Sequence, residues 1–159
     1  MNDEYVVSFF GNDDPGGDYD YEPERNIYLI LHGFAANCRN VMFITNSTKG
    51  FGMSVAEAAE ELRRVGKLEN FRVVLELDAY DGSYDKITDM QSDYYDEITI
   101  CSRSSDNYRE ISDRLRYNNI IDHSDHIIFG PGDMTEKMKN AYLYAIKIGK
   151  KIGIMKNKE

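Results

Sequence analysis

The sequence lacks the features that mark several classes of protein. It has no tryptophan, three histidines and only two cysteines, and the separation of Cys38 from Cys101 matches neither a disulfide framework nor a zinc-site spacing. No apolar run approaches the eighteen residues of a membrane span, and no signal peptide is recognisable. We therefore expect a cytoplasmic protein with reduced thiols and no membrane partner.

Basic residues are also scarce relative to acidic ones. Nineteen lysines and arginines face twenty-eight aspartates and glutamates, which leaves a formal net charge of -9. Such a surplus of negative charge opposes contact with a polyanion. It therefore predicts that nucleic acid is not a main partner, although a local basic pocket is compatible with it. A length of 159 residues suits a single domain over residues 1–159 with its own core.

Short apolar runs that alternate with helical stripes indicate the fold class. Strands are predicted over residues 5–10, 41–45, 71–77, 97–101, 126–129 and 152–155. Helices are predicted over residues 24–38, 54–65 and 108–121 and over about fifteen residues after the glycines that follow the fifth strand. A short helix is predicted in the acidic segment after residue 77. This alternation predicts a Rossmann-like three-layer αβα sandwich with a mostly parallel sheet of five or six strands.

Turns of small residues follow three of these strands, at Gly11, at residues 46–52 and at residues 130–136. Turns after parallel strands share one edge of the sheet, so we expect the three to converge. Backbone N–H groups of such turns bind anions, although glycine and serine also occur wherever a chain reverses tightly. The predicted ligand-binding residues are Gly11, Asn12, Asn46, Ser47, Thr48, Gly50, Gly52, Arg103, Gly130, Pro131, Gly132, Asp133 and Thr135.

Other features have simpler interpretations. Residues 11–23 are rich in glycine and acid and predict a mobile surface loop, either a connector or a lid. Ser54 and Glu57 match a capping box, which gives Glu57 a structural role. Asp122, His123 and Asp125 lie too close in sequence to face one ion together, so no metal site is predicted. No cofactor is predicted either.

Three segments together indicate a family resemblance: FFGNDD, ITNSTKGFGMSVAEAAEEL and YNNIIDHSDHIIFGPGD. In this order they resemble the YpsA-like proteins of the SLOG superfamily, which also includes the Lonely Guy phosphoribohydrolases and the DprA core. The superfamily is similar in outline to the nucleoside deoxyribosyltransferases. The likeness spans residues 5–155. It implies a nucleotide or ADP-ribose-like ligand in a pocket formed by the three turns, with Gly11 in the first, Gly50 in the second, and Gly130, Gly132 and Asp133 in the third.

The sequence departs from the family pattern at all three turns. Asn12 and Asp13 stand where a histidine and an arginine often follow the first glycine. Ser47 and Gly52 replace a usual glycine and acid. The third turn lacks two glycines of the Lonely Guy motif. A nucleotide N-glycosidase or transferase needs a carboxylate at the ribose, for which Glu57 and Glu136 are the catalytic candidates.

Three functions therefore remain open at the level of sequence. The first is a nucleotide-binding module without turnover. The second is a hydrolase or transferase acting on an N-glycosidic bond. The third is a non-catalytic regulatory or interaction protein with a degenerate pocket. A homodimer is compatible with the resemblance, because relatives of this outline pair through helix faces, but no specific patch in the sequence predicts it.

Overall fold

The computed structural model describes residues 4–12, 23–78, 93–101 and 109–155. The elements within these ranges are β1 (Glu4–Phe10), α1 (Pro23–Asn37), β2 (Asn40–Thr45), α2 (Gly50–Arg64), β3 (Phe71–Asp78), β4 (Glu97–Cys101), α3 (Arg109–Asp122), β5 (His126–Phe129), α4 (Glu136–Lys147) and β6 (Lys151–Ile154). The predictions of a loop before α1 and of a short helix after β3 fall on residues 13–22 and 79–92, outside the described residues.

The strands form one sheet in the order β4-β3-β2-β1-β5-β6, and each neighbouring pair is parallel. Helices α1 and α2 pack on one face of the sheet, and α3 and α4 pack on the other. Along β1, Val7 and Phe9 belong to the core under α1 and α2, whereas Val6 and Phe10 belong to the core under α3 and α4. Burial on both faces explains why the strands are continuous apolar runs. The predicted Rossmann-like α/β fold is confirmed.

The order of the strands places a crevice beside β1. From β1 the chain steps outward through β2, β3 and β4, and it then returns to β5 on the other side of β1. The connections that leave β1 and β5 therefore diverge to opposite faces of the sheet. In open parallel sheets such a reversal creates the crevice in which ligands bind, at the carboxyl ends of the strands. Here these ends are Phe10 and Phe129.

Helix α2 begins earlier than its sequence pattern predicts. It starts at Gly50, and its N-cap residue Lys49 makes no side-chain capping bond. The Ser47 hydroxyl instead accepts a hydrogen bond from the Lys49 N–H at 3.1 Å, which tightens the chain one residue before the helix. Ser54 and Glu57 therefore lie inside α2, and the predicted capping box is wrong.

The inner faces of α3 and α4 also differ in part from the prediction. The spacing of apolar residues in α3 predicts that Leu115 faces inward, yet it is 37% exposed, whereas its neighbour Arg116 is only 5% exposed. Thr135 caps α4 by accepting a hydrogen bond from the Met138 N–H at 3.2 Å. Because α4 ends at Lys147, Ile148 lies past the helix and is 39% exposed.

Asn70, just before β3, is expected to contribute to stability through its side-chain amide. That amide donates hydrogen bonds to the carbonyls of Ala35 at 2.8 Å, Cys38 at 2.9 Å and Arg39 at 3.2 Å. Carbonyls at the end of a helix have no donor within the helix. Asn70→Ala should lower the free energy of unfolding by about 1–2 kcal/mol in urea titrations. Asn70→Asp, which presents a carboxylate to the same carbonyls, should cost at least as much. The control is Asn26→Ala on the exposed face of α1, and an equal loss there would contradict this role.

Candidate functional site

The ring of Phe51, the second residue of α2, fills the space between the turns that follow β1 and β5. A Cβ atom on Gly11 would lie 2.2 Å from the ring, and one on Gly130 would lie 2.9 Å from it. Phe51 is 7% exposed, and its N–H donates to the Asn12 carbonyl at 3.3 Å. The turns thus meet at one edge of the sheet. The packed ring explains why positions 11 and 130 are glycines, since it leaves no room there for a side chain. It also occupies the α2 side of the crevice.

An open cavity of about 400 Å³ lies at the same edge, on the side of α3 and α4. This volume falls within the range of small-molecule sites. Five residues predicted from the sequence line it together: Gly11, Asn12, Asn46, Thr135 and Glu136. Tyr117 and Lys137, which the sequence analysis did not select, complete its polar and aromatic wall.

The start of α4 forms one wall of this cavity. Backbone N–H groups in the first turn of a helix have no acceptor within the helix, and the helix dipole places partial positive charge there. Thr135 satisfies the N–H of Met138, so the first-turn groups nearest the cavity belong to Glu136 and Lys137. The Glu136 carboxylate is 85% exposed and lies 3.8 Å from the Lys139 ammonium. This wall can therefore hold an anion such as a phosphate or a carboxylate.

The opposite wall is aromatic and lies against a buried arginine. The Tyr117 ring packs edge-on against Phe10, with 5.1 Å between ring centroids. The Arg116 guanidinium lies 5.0 Å from the centre of the Tyr117 ring. Arg116 also donates hydrogen bonds to the carbonyls of Asn46 at 3.2 Å and Glu76 at 3.3 Å. Positive charge is thereby held at the carboxyl ends of β2 and β3, beside Asn46.

A signal for Arg116 and Tyr117 was present in the sequence. The helical spacing of apolar residues in α3 predicts that Ile120 and Ile121 face the core, and both are buried. Residues four positions apart lie on the same face of a helix. Arg116 and Tyr117 therefore lie on the same face of α3 as these two isoleucines and face the sheet. An arginine and a tyrosine that face the sheet near its carboxyl edge indicate the wall of the site.

The other predicted residues that the structure describes do not line this cavity. Ser47, Thr48, Gly50 and Gly52 precede or begin α2, and a Cβ atom on Gly52 would lie 2.4 Å from the Ser47 carbonyl oxygen. Pro131, Gly132 and Asp133 follow β5 but do not line the cavity. Glu57 is exposed on α2, where its charge acts on Tyr95. Arg103 lies outside the described residues. Ligand binding by these residues stays a prediction.

The described residues contain neither a cluster of metal ligands nor a membrane-spanning helix. Among residues 4–12, 23–78, 93–101 and 109–155, no three histidine, cysteine, aspartate or glutamate side chains are grouped so that they could hold a metal ion. Within the same part of the chain, no helix has the length and apolar character needed to span a membrane.

Solved structures with this fold include two DNA processing proteins. DNA processing protein A from Helicobacter pylori, described for its single-stranded DNA binding mode, superposes with a TM-score of 0.62 and 15% identity. DNA processing protein A (DprA) from Streptococcus pneumoniae superposes with a TM-score of 0.50 and 10% identity. The chain shares its fold with these proteins. No protein-family model and no curated protein matches the sequence.

The superpositions cover nearly all of this chain and less than two thirds of the other proteins. They include 94% of this chain with 64% of the Helicobacter protein, and 93% with 58% of the Streptococcus protein. The first comparison corrects one expectation. Net charge predicted that nucleic acid is not a main partner, yet a protein with the same fold binds single-stranded DNA. The prediction is wrong because net charge averages over the whole surface, whereas binding depends on the local potential at one site.

The contact between Phe51 and Gly11 can be tested with a matched pair of glycines. Gly11→Ala places a methyl group against the ring and should lower the free energy of unfolding by about 1–3 kcal/mol. Gly33→Ala in α1, where a Cβ atom meets nothing within 4 Å, should raise it by about 0.5–1 kcal/mol. In a Phe51→Ala background the cost of Gly11→Ala should largely disappear. If urea unfolding shows that Gly11→Ala costs as much in the Phe51→Ala background as in the unmodified protein, the ring is not the cause.

Tyr95 should make stability depend on alkaline pH. Burial, and to a smaller extent the charge of Glu57, raises the pKa of Tyr95 to about 12, compared with about 10 in an unfolded chain. Between these values the unfolded chain loses the proton while the folded protein keeps it, so the free energy of unfolding falls as pH rises from about 10 to 12. Tyr95→Phe should show a shallower fall over this window. Equal slopes for the two proteins would refute the assignment.

Proposed function

We propose that this protein binds a nucleotide unit in the 400 Å³ cavity, with the phosphate at the start of α4. The proposal rests on one observation. Three kinds of binding group line the same cavity, beside the point where the strand order reverses between β1 and β5. Asn12 and Asn46 supply side-chain amides, Tyr117 supplies an aromatic face, and α4 supplies a cationic helix end. A nucleotide has a hydrogen-bonding sugar, a flat base and a phosphate, which match these groups in turn.

Each part of the ligand has a proposed partner. The first-turn N–H groups of α4 and the Lys137 ammonium would bind the phosphate. The Tyr117 ring would stack on the base, an interaction that tolerates any base because every base has a flat face. The amides of Asn12 and Asn46 would reach the sugar hydroxyls or the edge of the base, since each offers both a donor and an acceptor.

The form of the nucleotide is part of the proposal. Because Phe51 occupies the α2 side of the crevice, we place the phosphate at α4 and not at the glycines before α2. The nucleotide unit can be free, as in the ADP-ribose-like ligand implied by the YpsA-like resemblance. It can also belong to a single strand, as in the Helicobacter protein. Membership of the YpsA-like group and a cytoplasmic location remain predictions.

Catalysis is not part of the proposal. Cleavage of an N-glycosidic bond needs a carboxylate at the ribose, and the sequence offers Glu57 or Glu136 for that role. Glu136 lines the cavity, but Glu57 lies on the exposed surface of α2 and does not. Of the two candidates, only Glu136 lies beside the proposed ligand, and a catalytic role for either stays a prediction.

Thermal unfolding with nucleotides tests the proposal. A ligand at one hundred times its dissociation constant should add about 2.7 kcal/mol to the free energy of unfolding. We would test AMP, dAMP, ADP, ADP-ribose and thymidine oligonucleotides. Lys137→Ala should weaken binding about tenfold, which corresponds to 1.4 kcal/mol. Lys147→Ala, at the other end of the same helix, should leave binding unchanged. The proposal fails if none of these compounds stabilises the protein, or if both lysine variants weaken binding equally.

A further inference from the structure

A second cavity, of about 350 Å³, lies between α3 and α4. It shares three lining residues with the 400 Å³ cavity, namely Tyr117, Glu136 and Lys137. Because the same side chains border both, the two cavities are adjacent, and we refer to them together as the groove. The groove runs from the edge of the sheet outward over the helix pair.

The outer part of the groove is polar, which is unusual for the contact between two packed helices. Arg114 and Asn118 lie one turn apart on α3, and Lys137 and Asn140 lie about one turn apart on α4, so two polar rows face each other. The floor is Ala141, a buried residue too small to close the gap. Helices that pack for stability alone fill such a gap with apolar side chains. Here the helices leave it open and line it with two amides, the cations Arg114 and Lys137, and the Glu136 carboxylate, which lies 3.8 Å from the Lys139 ammonium.

Resting on the nucleotide function proposed above, we propose that this outer cavity is a second nucleotide subsite, which binds the next nucleotide of a single strand. Tyr117 stands between the two cavities and offers its ring to a base. Lys137 and Arg114 border the outer cavity from opposite helices, so a phosphate that links the two nucleotides can meet either cation. The amides of Asn118 and Asn140 are placed to bind a base that is not paired.

The chemistry favours a single strand over a duplex. Each cavity has the volume of a small-molecule site, and base stacking on an aromatic ring requires an unpaired base. Contacts between the phosphates and the cations Arg114 and Lys137 predict binding that weakens as the salt concentration rises.

The length dependence of binding tests the second subsite. Binding of thymidine monophosphate and of the dinucleotide and tetranucleotide of thymidine would be measured by calorimetry. The dinucleotide should bind the unmodified protein about tenfold more tightly than the mononucleotide. The double variant Arg114→Ala/Asn140→Ala should keep its mononucleotide affinity within about twofold and lose the gain with length. Its plot of log affinity against log salt for the tetranucleotide should be shallower by about 0.7, as expected for one lost phosphate contact on a single strand.

The control is Arg64→Ala at the end of α2, outside both cavities, which should behave as the unmodified protein does. Urea unfolding of each variant establishes that it is folded. The second subsite is refuted if length brings no gain, or if the double variant keeps the gain while the mononucleotide still binds. If neither the mononucleotide nor any oligonucleotide binds the unmodified protein, the nucleotide function falls together with it.

Discussion

The contact of the Phe51 ring with Gly11 and Gly130 organises the edge of the sheet at which the candidate site lies. The ring belongs to α2, and the two glycines follow β1 and β5, so one side chain joins a helix to both strands at the reversal of strand order. Each glycine is required because a single methyl group at either position would overlap the ring. The arrangement closes the crevice on the face of α1 and α2 and leaves the face of α3 and α4 open.

The open face carries chemistry that the closed face lacks. Tyr117 and Arg116 bring an aromatic ring and a buried cation to the ends of β1 and β2, and the start of α4 brings backbone donors. These groups come from segments more than one hundred residues apart in sequence from Asn12. The parallel sheet brings them together, because its strands all deliver their carboxyl ends to one edge.

The fold could be predicted from the sequence, and the site only in part. Short apolar runs such as residues 126–129 indicate buried strands, and the alternation of such strands with helices predicts a parallel sheet covered on both faces. Gly11 and Gly130 were predicted to contact a ligand, whereas both pack against the Phe51 ring. The sequence could not show this, because a glycine does not indicate whether a ligand or a side chain lies next to it. Arg116 was missed because a charged residue on a helix is expected at the surface, and only the packing of α3 against the sheet shows that it is buried.

The hydrogen bond between the Phe51 N–H and the Asn12 carbonyl has a further consequence. Asn12 lines the cavity on one face of the sheet, and Phe51 packs into the hydrophobic core on the other. The hydrogen bond from the Phe51 N–H to the Asn12 carbonyl therefore connects the lining of the cavity to the hydrophobic core under α2. Under the proposed function, a substitution in the core under α2 that displaces Phe51 would shift Asn12 and so change the affinity for a nucleotide without touching it.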